Sequence, residues 1–224
     1  MRHAIPLTAA QVLAAIDGRL SLIVWPLLEQ PPEDTYRVTR RDEASAWLPV
    51  RRHHATHNGD ELRIPFGPGP VCYGQEGLGA IDTGTPYYRA DGEMVFNTLT
   101  GEALKAALSI YANWRPVDGT CSPSTSMPRE LSRIALTIET MDVRQVHSIT
   151  RREAEAAGVI AWRETLTEQQ EHAAWHCAAA RADYKMVDNN HWFGGMWNAR
   201  HGKRYPWADN PWCVFLTVKV EVAG

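Results

Sequence analysis

The chain reads as an α+β domain built on a small β-barrel, with peripheral helices and an inserted loop and hairpin region. Three observations lead there. Short strand-like runs recur from Leu20 to Val222, with helix-forming stretches between them. Three of those stretches open on a capping Thr (Thr8, Thr150, Thr167) and two close on glycine (Gly18, Gly158). The 224 residues are 44% hydrophobic, enough for a core, and no internal repeat or low-complexity tract divides them. One domain over residues 1–224, with an insertion at about 67–120, is the expected organisation.

Thr8 is placed to cap a helix running to Ala15, with Gly18 to end it. Leu20 to Trp25 is a short apolar run, predicted as a buried strand that Pro26 stops. Residues 29–60 are polar and rich in Arg and His, and read as loop or weak strand. Asn58-Gly59-Asp60 is a turn signal before a strand at Glu61 to Phe66. Gly67 to Pro86 reads as loop by its glycines and prolines. Tyr87 to Phe96 has the form of a hairpin with Ala90-Asp91-Gly92 at its tip, and Gly101 to Ala112 that of a helix.

The pattern sharpens after Pro128. Ile134, Leu136 and Ile138 alternate with polar residues, predicting a half-buried strand from Ser132 to Thr140, and Asp142 to Ile149 continues extended. Thr150 with Glu153, and Thr167 with Gln170, are capping boxes. The first opens a helix that stops at Gly158, the second one that runs to about Asp183. Asn190 to Ala199 predicts a short helix, and Trp212 to Val222 a terminal strand.

A net charge of −3 argues against a general nucleic-acid coat, which needs a surplus of Lys and Arg. No run of eighteen apolar residues predicts a membrane-spanning helix, so no membrane partner is expected. Pro6, Gln11 and Asp17 break the N-terminal apolar stretch, which does not read as a signal peptide. A cytoplasmic protein is expected, with Cys72, Cys121, Cys177 and Cys213 as reduced thiols. His172 and His176 share a helical face, and His53 and His57 a loop. Two ligands do not make a zinc site, and neither metal nor cofactor is expected.

Nine tryptophans are the oddity of the composition. Trp197, Trp207 and Trp212 are expected in the core. Trp25, Trp47, Trp114, Trp162, Trp175 and Trp192 are less constrained, and any that is exposed can stack a base.

Several blocks occur in a telling order: Asp17-Gly18-Arg19, Gly59-Asp60, Tyr88 to Gly92, and Ser122 to Ile138 with its Met-Pro-Arg-Glu-Leu-Ser-Arg-Ile core. Ser148 to Ala154 then leads to Gly158, Met196-Trp197-Asn198 to Gly202-Lys203, and Trp207 through Asn210-Pro211-Trp212 to the last strand. In these the chain resembles the ASCH-domain proteins of the prophage type. The resemblance implies a PUA-like β-barrel with a cleft that handles nucleotides, modified bases, RNA or DNA. Some members are amidohydrolases on acylated cytidine, others ribonucleases.

The amidohydrolase pattern implies a Lys and a Thr after the first helix and a Glu late in the capped helix. Leu20, Ile23 and Ala157 stand at those positions here, and none of them can act as acid, base or nucleophile. No catalytic residue is therefore expected. The candidate ligand or nucleic-acid contacts are Arg19 and Ser21 beside the degenerate motif, Trp25, Arg129 and Arg133 flanking the central strand, and Glu153. Arg129 and Arg133, four apart, share a face if extended, although Arg133 can equally pair with Glu130 or Glu153. Three functions are carried forward: a non-catalytic binding module for a nucleotide, modified base or nucleic acid; a phage-encoded inhibitor that binds a host defence protein; and a surviving hydrolase or ribonuclease.

Overall fold

The structure is a computed structural model that describes residues 4–33, 35–40, 46–51, 62–64, 68–69, 71–80, 85–111, 124–181 and 189–223. Its main sheet has five strands in the order β1-β6-β9-β10-β2: β1 (Ala4–Pro6), β6 (Val71–Gln75), β9 (Ile134–Gln145), β10 (Trp212–Val222) and β2 (Leu22–Pro26). β1 runs parallel to β6 and the other pairs are antiparallel. A second sheet joins β3 (Thr35–Arg40), β4 (Ala46–Arg51) and β5 (Leu62–Arg63), and a third pairs β7 (Leu78–Ala80) with β8 (Pro86–Tyr88). The helices are α1 (Ala9–Ile16), α2 (Val95–Thr98), α3 (Gly101–Tyr111), α4 (Arg151–Ala156), α5 (Val159–Glu164), α6 (Glu168–Arg181) and α7 (Asn189–His201).

The spine is β9 against β10, paired from Ile134 with Val222 to Gln145 with Trp212 and bent by a bulge at Thr217/Val218. Past the bulge the sheet changes partners. β6 joins the Ala135–Thr137 end of β9, and β2 joins the Cys213–Thr217 end of β10.

Alternation along β2 and β10 sends side chains to two cores. Ile23, Trp212, Val214 and Leu216 enter one core with α1, with Val38 and Leu62 of the second sheet, and with Ile64 just after β5. Leu22, Val24, Cys213 and Phe215 enter the other, under α4 and α7, with Trp192, Phe193, Trp197 and Trp207. Both faces of this half of the sheet are covered, which explains its nearly continuous apolar sequence. Each large side chain so buried contributes about 1.5–3 kcal/mol. Trp197, Trp207 and Trp212 lie in these cores as expected.

The mixed α+β class holds. Among the described residues the strands form separate sheets, and the five- and three-stranded sheets share a core without a continuous ladder between them. Residues 35–40 and 46–51, read as loop or weak strand, form the antiparallel strands β3 and β4, with a register shift between Thr35 and Arg37. Gly67 to Pro86, read as loop, supplies β6 and β7, so the segment expected as an insertion contributes a strand to the main sheet. The expected hairpin keeps its turn at Arg89–Asp91 and a single bridge from Tyr87 to Met94, but the strand partner of β8 is β7, and α2 follows. β2 ends at Pro26, which is itself the last residue of this edge strand, opposite Cys213. His53, His57 and Trp114 lie outside the described residues, as do Cys121 and the turn at Asn58 to Asp60.

Candidate functional site

The residues singled out from sequence fall in several places. Arg19 is exposed at the end of α1 and bridges Asp17 at 2.6 Å and Glu164, at the end of α5, at 3.0 Å. Those two carboxylates raise its pKa. Neighbouring Ser21 is exposed, and its backbone is committed on both sides: its N–H donates to the Ala156 carbonyl, and its own carbonyl accepts from the Val218 N–H, each at 3.0 Å. Leu20, Ile23 and Ala157 are buried in the two cores, at 3%, 0% and 1% exposure.

Glu153 serves α4. Its carboxylate accepts from the Thr150 N–H at 2.8 Å, closing the capping box, and also pairs with Arg144. Burial alone would raise its pKa. The hydrogen bonds from the Thr150 backbone, Arg144 and the Thr150 hydroxyl together outweigh burial and hold the carboxyl below the usual range.

Arg129 and Arg133 both line a groove of about 620 Å³ along the β6–β9–β10 end of the sheet. They are not equivalent. Arg129 lies in a 3-10 turn, Arg129–Leu131, and is exposed. Arg133 is 4% exposed and fully engaged: Nε and Nη2 donate to the Glu76 carboxylate, Nη1 donates to Asp91 at 2.7 Å, and the guanidinium lies 3.9 Å over the Tyr88 ring. The structural reading of Arg133 is the one realised, with Glu76 and Asp91 as partners in place of Glu130 or Glu153. An arginine so held does not reach for a ligand; it ties the β8 turn to β9.

Trp25 is the candidate that leads to a site. It is half-buried on β2, with the Arg200 guanidinium 4.6 Å from its ring and the His201 ring edge-on at 5.5 Å. Arg200 and His201 form the last turn of α7, which packs on α4, α5 and α6. Together with Thr8, Gln11, Val24, Ala157, Phe193, Met196 and Trp197 they line a small cavity of about 20 Å³. Ala157, at the position where the resemblance implies a carboxylate, is part of this lining, whereas none of the six candidate contacts is.

The polar groups there are mostly donors. Arg200 donates through Nη1 to the Gln11 side-chain oxygen and through Nη2 to the Pro6 carbonyl. Both acceptors are neutral, and among the described residues no carboxylate pairs with Arg200. Burial pulls its pKa down to about 10, still charged at neutral pH. Burial first, and the Arg200 charge second, push the His201 imidazole down to about 3, so the ring is neutral in solution near pH 7. Trp197 stacks on it, tilted, at 4.6 Å. This arrangement offers a cation, an amide, a hydroxyl and aromatic faces. The cavity lining holds no carboxylate and no cysteine.

Sequence reasoning did not single out Arg200, His201 or Gln11. An Arg-His pair at a helix end reads as a dipole partner in solvent, although Gln11 as the capping-box partner of Thr8 was a usable signal.

Elsewhere, no three His, Cys, Asp or Glu side chains gather among the described residues as a metal would require, and no described helix is long and apolar enough to cross a membrane. Comparisons with family models, curated proteins and solved structures return no match for this chain.

Proposed function

We propose that this chain is a non-catalytic binding module for a nucleotide, a modified base or an RNA or DNA strand, on a PUA-like ASCH scaffold of phage origin. One observation carries the reading: the α1–β2–α7 cleft holds a charged guanidinium against an indole, with no carboxylate among the described residues to neutralise it. Arginine stacked on an aromatic face suits phosphate and base recognition. Leu20, Ile23 and Ala157 occupy the positions where the resemblance implies proton-handling groups, which favours binding over turnover. The two sheets around one core are the elements from which a PUA-like barrel would be drawn.

The test is fluorescence anisotropy of labelled RNA and DNA at several salt concentrations. Saturable binding that weakens as salt rises supports the reading. Binding indifferent to salt counts against phosphate contacts.

A second reading, a phage-encoded inhibitor that binds a host defence protein, is favoured by the size of the cavity: about 20 Å³ admits one water, not a nucleobase. On that reading labelled strands do not bind at any salt, and the chain co-elutes with a host component.

A further inference from the structure

Among the described residues, Arg200 is a half-buried cation that lines a cavity and has only neutral hydrogen-bond partners. The contrast with the other partly buried arginines is direct. Arg133 has Glu76 and Asp91, Arg144 has Glu153 and Asp142, and Arg163 has Glu171. Each of these three described guanidiniums comes with a carboxylate, as the cost of burying an unpaired charge requires.

The guanidinium is also held in place before any ligand arrives. The Pro6 carbonyl, the Gln11 amide oxygen and the Trp25 ring fix it from separate directions. A guanidinium carries more N–H donors than those two hydrogen bonds use. The cavity it lines also holds the Thr8 hydroxyl and the Met196 side chain. At about 20 Å³ the cavity holds one water as it stands, so a phosphate requires the Met196 side chain, unbranched and half-buried, to swing aside.

We infer that the Arg200 cavity receives a phosphate group, with Arg200 as its counter-ion and the Thr8 and Gln11 side chains as auxiliary hydrogen-bonding groups. This deepens the nucleotide reading and rests on it for the source: the phosphate is that of the bound nucleotide, with the rest of the molecule outside the cavity along Trp25. A phosphate oxyanion accepts from several directions and gains charge-assisted bonds from a fixed guanidinium. An anion there also offsets the repulsion that Arg200 exerts on His201, which makes the imidazole a local reporter.

The experiment titrates the full chain with inorganic phosphate, cytidine 5′-monophosphate and cytidine, reading affinity by calorimetry and the His201 ring signals by NMR. It is repeated on Arg200→Met and Arg200→Lys, with thermal unfolding to establish that each variant is folded. The expected result is that the monophosphate binds about tenfold or more tightly than cytidine, the loss of a charge-assisted bond being of that size. Inorganic phosphate should compete and shift the His201 signals. Arg200→Met should abolish the preference, and Arg200→Lys should keep part of it. Equal binding of monophosphate and cytidine, or a preference that survives in Arg200→Met, overturns the phosphate assignment and leaves base recognition standing. Phosphate binding that depends on Arg200, with neither cytidine compound binding more tightly, supports the anion site and overturns the nucleotide reading. No binding of any probe overturns both. Should Arg200→Met fail to fold, an unchanged preference in Arg200→Lys, whose ammonium cannot reproduce the fork, overturns the assignment.

Discussion

Arg133 grips Glu76 by a buried two-point contact, Nε to Oε1 at 3.0 Å and Nη2 to Oε2 at 2.9 Å, across 57 residues of sequence. The fork of the guanidinium matches the carboxylate, and Asp91 and the Tyr88 ring complete the enclosure. Tyr88 is itself anchored, its hydroxyl donating to the Leu131 carbonyl at 2.8 Å, and burial pushes its pKa up to about 12. The cluster fastens the β7–β8 region to the start of β9.

Removing one member of such a pair leaves the other charge buried alone. Arg133→Met is expected to cost about 3–5 kcal/mol, read as a lower urea midpoint. Arg129→Met, four residues earlier and exposed, is expected to fall within about 0.5 kcal/mol of the parent.

Glu153 gives a pH signature. Its carboxyl is held below the ordinary range, so the stability it contributes is present above the unfolded carboxylate pKa and is lost as pH falls through the lower folded value. Glu153→Gln keeps a capping-box side chain but removes the charge that pairs with Arg144. We expect a loss of about 0.5–1 kcal/mol at neutral pH for this partly exposed pair. Unfolding measured down the acid limb should show a smaller drop in the variant than in the parent.

Cys213 is sealed in the core on β10, and burial raises its thiol well above the usual value. Thiolate is the reactive form. Brief alkylation of native protein, mapped by mass spectrometry, should leave Cys213 unlabelled until denaturant is added.

Gly158 sits at φ +93° between α4 and α5, a left-handed conformation that glycine adopts without strain. Gly158→Ala is expected to destabilise the fold by about 1 kcal/mol or more, seen as a lower thermal midpoint.

The elements legible in the sequence are those with local chemistry. Thr8 with Gln11, Thr150 with Glu153 and Thr167 with Gln170 all form capping boxes, and the alternation after Ser132 becomes β9. β6 was hidden because its strand character is supplied by β1 and β9. Its Gly74 allows an approach so close that an added Cβ would lie 2.8 Å from Leu7 Cδ1. Of the candidate contacts, Trp25 packs against Arg200 and His201 of the cavity wall, Arg133 and Glu153 are held by partners within the fold, and Arg19 pairs at the surface. Arg200 escaped notice because its desolvation depends on α7 meeting residues almost two hundred positions earlier, a contact no local pattern encodes.

The most direct measurement of binding without turnover is the fate of an acylated cytidine held with the full chain. Equilibrium dialysis followed by chromatography should recover it retained by the protein with its acyl group intact. Free cytidine accumulating in proportion to protein and time would contradict the proposal, and would require a nucleophile and proton carrier other than Leu20, Ile23 and Ala157.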